Sequence, residues 1–132
     1  MPHVRKILII DDDEDDRLLF MDAVKEVDSS SLCVDCPGGV EALDWLASAE
    51  ELPDLIFLDL NMPRLDGKEL LSRIINDDHL KKIPVIIYST SRRREDIEEM
   101  MAIGAVHFLT KPVLFNDICA ALRQVLNKKW LS

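Results

Sequence analysis

The chain has 132 residues, 48% hydrophobic and 31% charged, which is material for one globular domain with an ordinary core and not for two. A net charge of -9 argues against a nucleic-acid backbone as partner, because phosphate binding relies on Lys and Arg, and it favours a cation or a basic protein surface. No apolar run approaches the ~20 residues of a membrane span, and the start Met1-Pro-His-Val-Arg-Lys lacks the apolar stretch of a signal peptide, so a cytoplasmic protein is expected.

In chain order the apolar pattern alternates between two periods. Val4 to Ile10 is a short continuous run, and over Arg17 to Val27 the residues Leu18, Leu19, Ala23, Val24 and Val27 recur at helical spacing. Ser31 to Cys36 reads as a second strand closed by Pro37-Gly38-Gly39, and Val40 to Ala49 as a helix carried by Leu43, Leu46 and Ala47. The run after Asp54, bounded by Pro53 and Pro63, has the pattern of a strand buried on both faces, and it delivers Asp59 to its far end. Leu65 to Asp77 sets Leu70, Leu71, Ile74 and Ile75 on one helical stripe, and Pro84 to Tyr88 is the fourth strand. Ile97, Met100, Met101 and Ile103 supply the next helix face, with Gly104 as its C-cap. Val106 to Leu109 is the fifth strand, and Ile118, Ala121, Leu122, Val125 and Leu126 form the last helix.

Strict alternation gives (βα)5, a parallel sheet with helices on both faces. Right-handed crossovers leave few strand orders, of which the doubly wound, flavodoxin-like order 2-1-3-4-5 is the common one. Cys33 and Cys36, three apart in a strand, point to opposite faces; with no second Cys pair they are expected as buried reduced thiols and not as a zinc site or disulfide framework.

That topology brings the residues after each strand to one rim: Asp11 and Asp12 after the first, Asp59 and Asn61 after the third, Ser89 and Thr90 after the fourth, Lys111 and Pro112 after the fifth. From its own strand alone, Asp59 is either a ligand-binding acid at the sheet's carboxyl edge or the cap of a turn. Carboxylate and carbonyl oxygens without histidine or thiolate suit a hard cation such as Mg2+. Like charges about 4 Å apart at an effective dielectric of about 20 repel by about 4 kcal/mol, so without a cation one acid is expected to bind a proton. In the run Asp11 to Asp16, Asp13 reads as the N-cap of the first helix and Glu14, Asp15 and Asp16 as structural acids in its first turn, leaving Asp11 and Asp12 for the metal.

The acid pair Asp11-Asp12, Asp59-x-Asn61-Met62-Pro63, Asp66-Gly67, Ser89, Phe108 and Lys111-Pro112 together resemble the receiver domain of bacterial two-component response regulators, over Ile7 to about Lys129. The stand-alone, phytochrome-associated type is the most similar. The resemblance implies that Asp59 accepts a phosphoryl group from a histidine kinase or phosphotransfer protein. It implies that Asp12 and Asp59 bind Mg2+ directly, that the Asn61 backbone carbonyl completes the protein ligands, and that Asp11 acts through water. Lys111 would pair with the phosphoryl oxygens and Lys111-Pro112 would be a cis peptide. Ser89 would swing to the phosphoryl group and Phe108 would rotate inward as the switch. A single receiver domain over 1-132 without an output domain is implied, acting as a monomer or weak homodimer on an unknown downstream protein, with no nucleic-acid or membrane partner. A phosphoacceptor that assists its own phosphorylation and dephosphorylation is expected, and not an enzyme with a separate substrate. Its docking face is expected on the fourth helix, fifth strand and fifth helix, with the first helix meeting the kinase.

Two other classes and a variant reading stand beside this one. A haloacid-dehalogenase-like phosphohydrolase also uses an aspartyl phosphate, but needs a second acid where this chain has Asn61. A flavin binder of the same topology needs a Gly-rich phosphate loop where this chain has acids. A receiver-fold scaffold that is never phosphorylated would not need the full acid set. Arg92, Arg93 and Arg94 stand at the start of the fourth helix, where Arg92 with Asp96 and Arg94 with Glu98 are spaced for i,i+4 pairs, or where the cluster docks an acidic partner. Trp45 reads as core or edge packing, and Trp130-Leu131, past the last helix, as an interface candidate.

Overall fold

The alternation of short apolar runs and amphipathic stretches resolves into strand after helix without exception along the described chain. In this computed structural model, which describes residues 4–128 and residue 130, the elements are β1 (Lys6–Ile10), α1 (Glu14–Val27), β2 (Leu32–Cys36), α2 (Gly39–Ser48), β3 (Leu55–Leu58), α3 (Gly67–Ile75), β4 (Val85–Ser89), α4 (Arg94–Ile103), β5 (His107–Thr110) and α5 (Phe115–Leu126). The strands form one sheet in the order β2-β1-β3-β4-β5, every neighbouring pair parallel. This is the expected flavodoxin-like architecture. Leu131, named above beside Trp130, lies outside the described residues, as does Lys129.

The sheet separates two cores because successive strand residues face opposite sides. Leu8, Ile10, Ile56, Leu58, Val85 and Ile87 pack under α2, α3 and α4 with Leu46, Leu70, Leu71, Ile74 and Met100. Ile7, Ile9, Leu55, Phe57, Ile86 and Tyr88 pack under α1 and α5 with Phe20, Ala23, Val24, Ile118 and Leu122. Phe20 stacks at 4.8 Å on Phe57 and 5.3 Å on Tyr88, which joins α1 to the two central strands. β1, β3 and β4 are buried almost throughout, which is why they read as continuous apolar runs, whereas the edge strands β2 and β5 are only half covered.

Cys33 belongs to the α1/α5 core and Cys36 to the opposite one, as alternation along β2 requires. Both are free, and burial pushes the Cys33 thiol up to about 12 and that of Cys36 up to about 11. Trp130 donates its indole N–H to the Val125 carbonyl at 3.1 Å and lies 5.7 Å from the His107 ring, so it closes the base of α5.

The helix starts differ from the apolar pattern. α1 begins at Glu14, three residues before the first helical residue read from periodicity, because Asp13 caps it by accepting the Asp16 N–H at 3.1 Å. α4 begins at Arg94, so Arg92 is off the helix and cannot make an i,i+4 pair with Asp96. Asp96 instead accepts the Ser91 hydroxyl, and among the described residues Arg93 is the one of the three arginines that forms an ion pair, with Glu95 at 3.2 Å.

Candidate functional site

Asp11 and Asp59 directly follow β1 and β3, two strands paired side by side, and their backbones extend the sheet by one step: the Asp59 N–H donates to the Ile10 carbonyl at 2.9 Å. Both are buried polar residues, Asp11 at 0% exposure and Asp59 at 7%, while Asp12 is exposed. One carboxylate oxygen from each of Asp11, Asp12 and Asp59 lies within 4.8 Å of the others. Asp59 is therefore a member of a convergent acid cluster and not a turn cap.

The cap of the following turn is a different residue. Asp66 accepts the Glu69 N–H at 2.9 Å and starts α3. Gly67 then brings the first turn of α3 against the end of β3. A Cβ there would overlap the Asp59 carbonyl oxygen and stand 2.8 Å from Leu60 Cα, so only glycine lets the helix approach the strand that carries the acid. The intervening loop is tight enough to hold Arg64 at φ 65.

Lys111 reaches the cluster from β5. Its ammonium lies 2.7 Å from Asp11 Oδ2, 2.8 Å from Asp16 Oδ2 and 3.9 Å from Asp59 Oδ2, over the Tyr88 ring at 5.6 Å from its centre. Burial disfavours its charge, but the hydrogen bonds it donates to Asp11 and Asp16 prevail and raise its pKa above the ordinary lysine value. Desolvation, with the Asp11 charge next, pushes Asp59 up to about 7 against the smaller downward pull of Lys111; the Asp12 charge adds to the rise. Burial likewise raises Asp11, opposed by Lys111.

The two oxygens of Asp11 are already engaged, Oδ2 by Lys111 and Oδ1 by the Asp13 N–H at 2.9 Å. Asp12 is free to turn toward a cation. The donor set fits a hard divalent ion: oxygen ligands only, two of the three acids buried, and neighbouring carboxylate charges that add to burial in raising the Asp59 pKa. Asn61 lies exposed on the loop two residues after Asp59.

Ser89 is fully buried at the end of β4. Its hydroxyl accepts the Ser91 N–H at 3.2 Å, and its carbonyl accepts the Lys111 N–H at 2.7 Å. Ser91 in turn donates its hydroxyl to Asp96 on α4, and its carbonyl accepts the Thr110 hydroxyl at 3.1 Å. Phe108 pairs with Ile87 on β5 and is half-buried against the core under α4. Thr90 is exposed. The Lys111–Pro112 bond is trans, where the resemblance implied cis; the trans preference of an X-Pro bond is only about 0.5–1 kcal/mol, and the lysine reaches the acids from this isomer.

Two residues take part in the rim that helix capping and apolar spacing do not place there. Asp16, besides being a first-turn acid, accepts from Lys111; Arg17 donates to the Asp11 carbonyl at 2.8 Å and to Asp35 at 2.9 Å, tying α1 to the ends of β1 and β2. A signal for Asp16 was present: it stands four residues before Phe20 and seven before Ala23, on the buried stripe of α1.

The family model described as "Response regulator receiver domain" matches residues 7–123. Among curated proteins, the probable methanogenesis regulatory protein FilR2 of Methanothrix harundinacea is 30% identical over 95% of this chain and 83% of its own length. The crystal structure of the phosphorylated cyanobacterial phytochrome response regulator RcpA is similar with a TM-score of 0.89 and 29% identity, over 98% of this chain and 99% of that one. The Mn(2+)-bound form of response regulator Rcp1 matches with a TM-score of 0.85 and 26% identity, over 97% of this chain and 99% of that one.

Proposed function

The chain belongs to the response regulator receiver domain family and works in phosphorelay signalling, and within that role we propose that Asp59 is the phosphoacceptor. The observation that carries this is the placement of Asp59: buried at the carboxyl end of the central strand β3, within 4.8 Å of Asp11 and Asp12, with the Lys111 ammonium 3.9 Å away. A carboxylate oxygen of Asp59 attacks the phosphorus of a phosphohistidine in line; the P–O bond forms as the P–N bond breaks, and the imidazole nitrogen leaves with the electron pair and takes up a proton. Lys111 offsets the charge on the phosphoryl oxygens.

Asp12, Asp59 and the Asn61 carbonyl are the residues that would hold Mg2+, with Asp11 acting through water. Bound there, the ion neutralises charge on the transferred group. The engagement of both Asp11 oxygens supports its indirect part, and the Mn(2+)-bound Rcp1 supports a divalent ion at this rim.

The product carries nearly two added negative charges at Asp59. Ser89 is the group that reads them: its hydroxyl turns from Ser91 to a phosphoryl oxygen, and Phe108 follows inward toward the core under α4. The chain acts in the cytoplasm as a receiver, monomeric or weakly dimeric. It receives the group from a histidine kinase or phosphotransfer protein that meets α1 and the neighbouring loop, where Leu18, Leu19, Val113 and Leu114 are exposed. It passes the signal to a downstream protein through α4, β5 and α5. It assists its own phosphorylation and hydrolysis and has no separate substrate. The dehalogenase-like reading is not favoured, since Asn61 supplies no general acid.

Incubation with a small phosphodonor and Mg2+ followed by intact-mass measurement is expected to show one phosphoryl adduct that needs the metal and is absent from Asp59→Asn. An adduct that persists in Asp59→Asn would place the acceptor elsewhere, and no adduct with any donor would favour an unphosphorylated scaffold.

A further inference from the structure

The lysine at the rim is shared in a way that the phosphoacceptor role does not require. An ammonium has three N–H donors. Two of those on Lys111 are taken, by Asp11 at 2.7 Å and by Asp16 at 2.8 Å, and the 3.9 Å to Asp59 is too long for a hydrogen bond. The two partners differ. Asp11 is fully buried and fixed from its other oxygen by the Asp13 N–H, so it cannot let go without leaving a buried charge unpaired. Asp16 lies in the first turn of α1 with its side chain 36% exposed, where water and the positive end of the helix can both accommodate a carboxylate that has lost its cation. Asp16 is thus the partner that can release.

Resting on the reading of Asp59 as acceptor, we propose that Asp16 is a positioning residue that competes with the phosphoryl group for Lys111. Before transfer it holds the ammonium off Asp59. When the phosphoryl group adds negative charge, the ammonium leaves Asp16 for the phosphoryl oxygens, keeps Asp11, and the Asp16 carboxylate becomes solvated. The tether sets a threshold: the free acid is under-neutralised and the phosphorylated acid is not.

The test compares Asp16→Ala, Asp16→Asn and Asp16→Glu with the wild type at saturating Mg2+. Ala and Asn are expected to speed phosphorylation by a small phosphodonor on the order of threefold to tenfold, the range of one part-buried charge-assisted hydrogen bond, and Glu is expected to restore the wild-type rate. A second measurement reads the lysine itself: the side-chain Nζ and Cε resonances of Lys111 in the unphosphorylated protein should shift in Ala and Asn and return in Glu. A role confined to helix stability would move the melting temperature and neither of these. A labelled wild type whose rate is unchanged or slowed by Asp16→Ala overturns the competition, as does an unmoved Lys111 resonance. A wild type that takes no label while its Lys111 resonance still follows Asp16 removes the acceptor reading and leaves the tether standing.

Discussion

Without a cation, the Asp59 carboxyl has the Asp11 and Asp12 carboxyls for neighbours, and the Lys111 ammonium is 3.9 Å away and bonded elsewhere. Its pKa of about 7, raised first by burial and then by Asp11, therefore has a consequence for stability. A carboxyl that holds its proton more tightly folded than unfolded favours folding at low pH; the advantage declines as pH rises from the ordinary carboxylate value and is gone above the folded one. Asp59→Asn removes the titration. In metal-free buffer, denaturant titrations should find Asp59→Asn more stable than the wild type, with the gap widening by on the order of 2 kcal/mol between about pH 5 and about pH 8. A gap that stays constant across that range would mean that Asp59 ionises normally. Asp59, Asp11, Asp12 and Lys111 were all legible as rim residues because each lies within two residues of a strand's carboxyl end. Asp16 was not, because position on a helix stripe and suitability for the helix dipole pointed to different roles, and only the contact with Lys111 decides between them.

At the scale of the element, the site depends on how closely α3 approaches β3. Gly67→Ala forces a methyl group onto the backbone at Asp59 and Leu60, and neither neighbour is a side chain that can swing aside. A loss of about 1–3 kcal/mol is expected from urea unfolding, together with slower adduct formation, because the displaced atoms belong to the acceptor itself. Unchanged phosphorylation in a destabilised variant would show that the acid tolerates the shift. The helices were legible as elements, and the start of α1 was legible from its cap and not from its apolar spacing: Asp13 starts the helix upstream of Arg17, as the acid run implied. α4 has no side-chain cap, and apolar spacing marks only its buried part, so nothing in the pattern placed its start at Arg94. The Arg92–Asp96 pair depended on a turn that α4 does not have, whereas Arg94 and Glu98 are both on the helix and are not bridged.

For the whole molecule, strict alternation was enough to give the strand order, since parallel neighbours joined by right-handed crossovers admit few alternatives. In a chain of net charge -9, the same topology brings three acids together at one end of the sheet, so binding a cation there should stabilise the entire fold. At ten times its dissociation constant, Mg2+ is expected to add about 1.4 kcal/mol. Calorimetry should register this as a rise of a few degrees, about 2 to 6 °C, over NaCl of equal ionic strength. Asp12→Ala should abolish the rise by removing the one exposed acid of the cluster. Equal melting of the wild type in the two salts would count against the metal centre.

The position of Tyr88 makes this domain its own optical probe. It is the single tyrosine of the chain, packed against Phe20 and lying under the Lys111 ammonium, so the near-ultraviolet tyrosine band comes from one ring beside the acceptor. The two tryptophans stand at the other end of the sheet, Trp45 beside Lys6 and Trp130 beside Arg5 and Pro84. Red-edge excitation reads the tryptophan end alone and shorter wavelengths excite both, so the tyrosine signal is obtained by difference, and a displacement of the lysine can be followed in unlabelled protein against an internal reference.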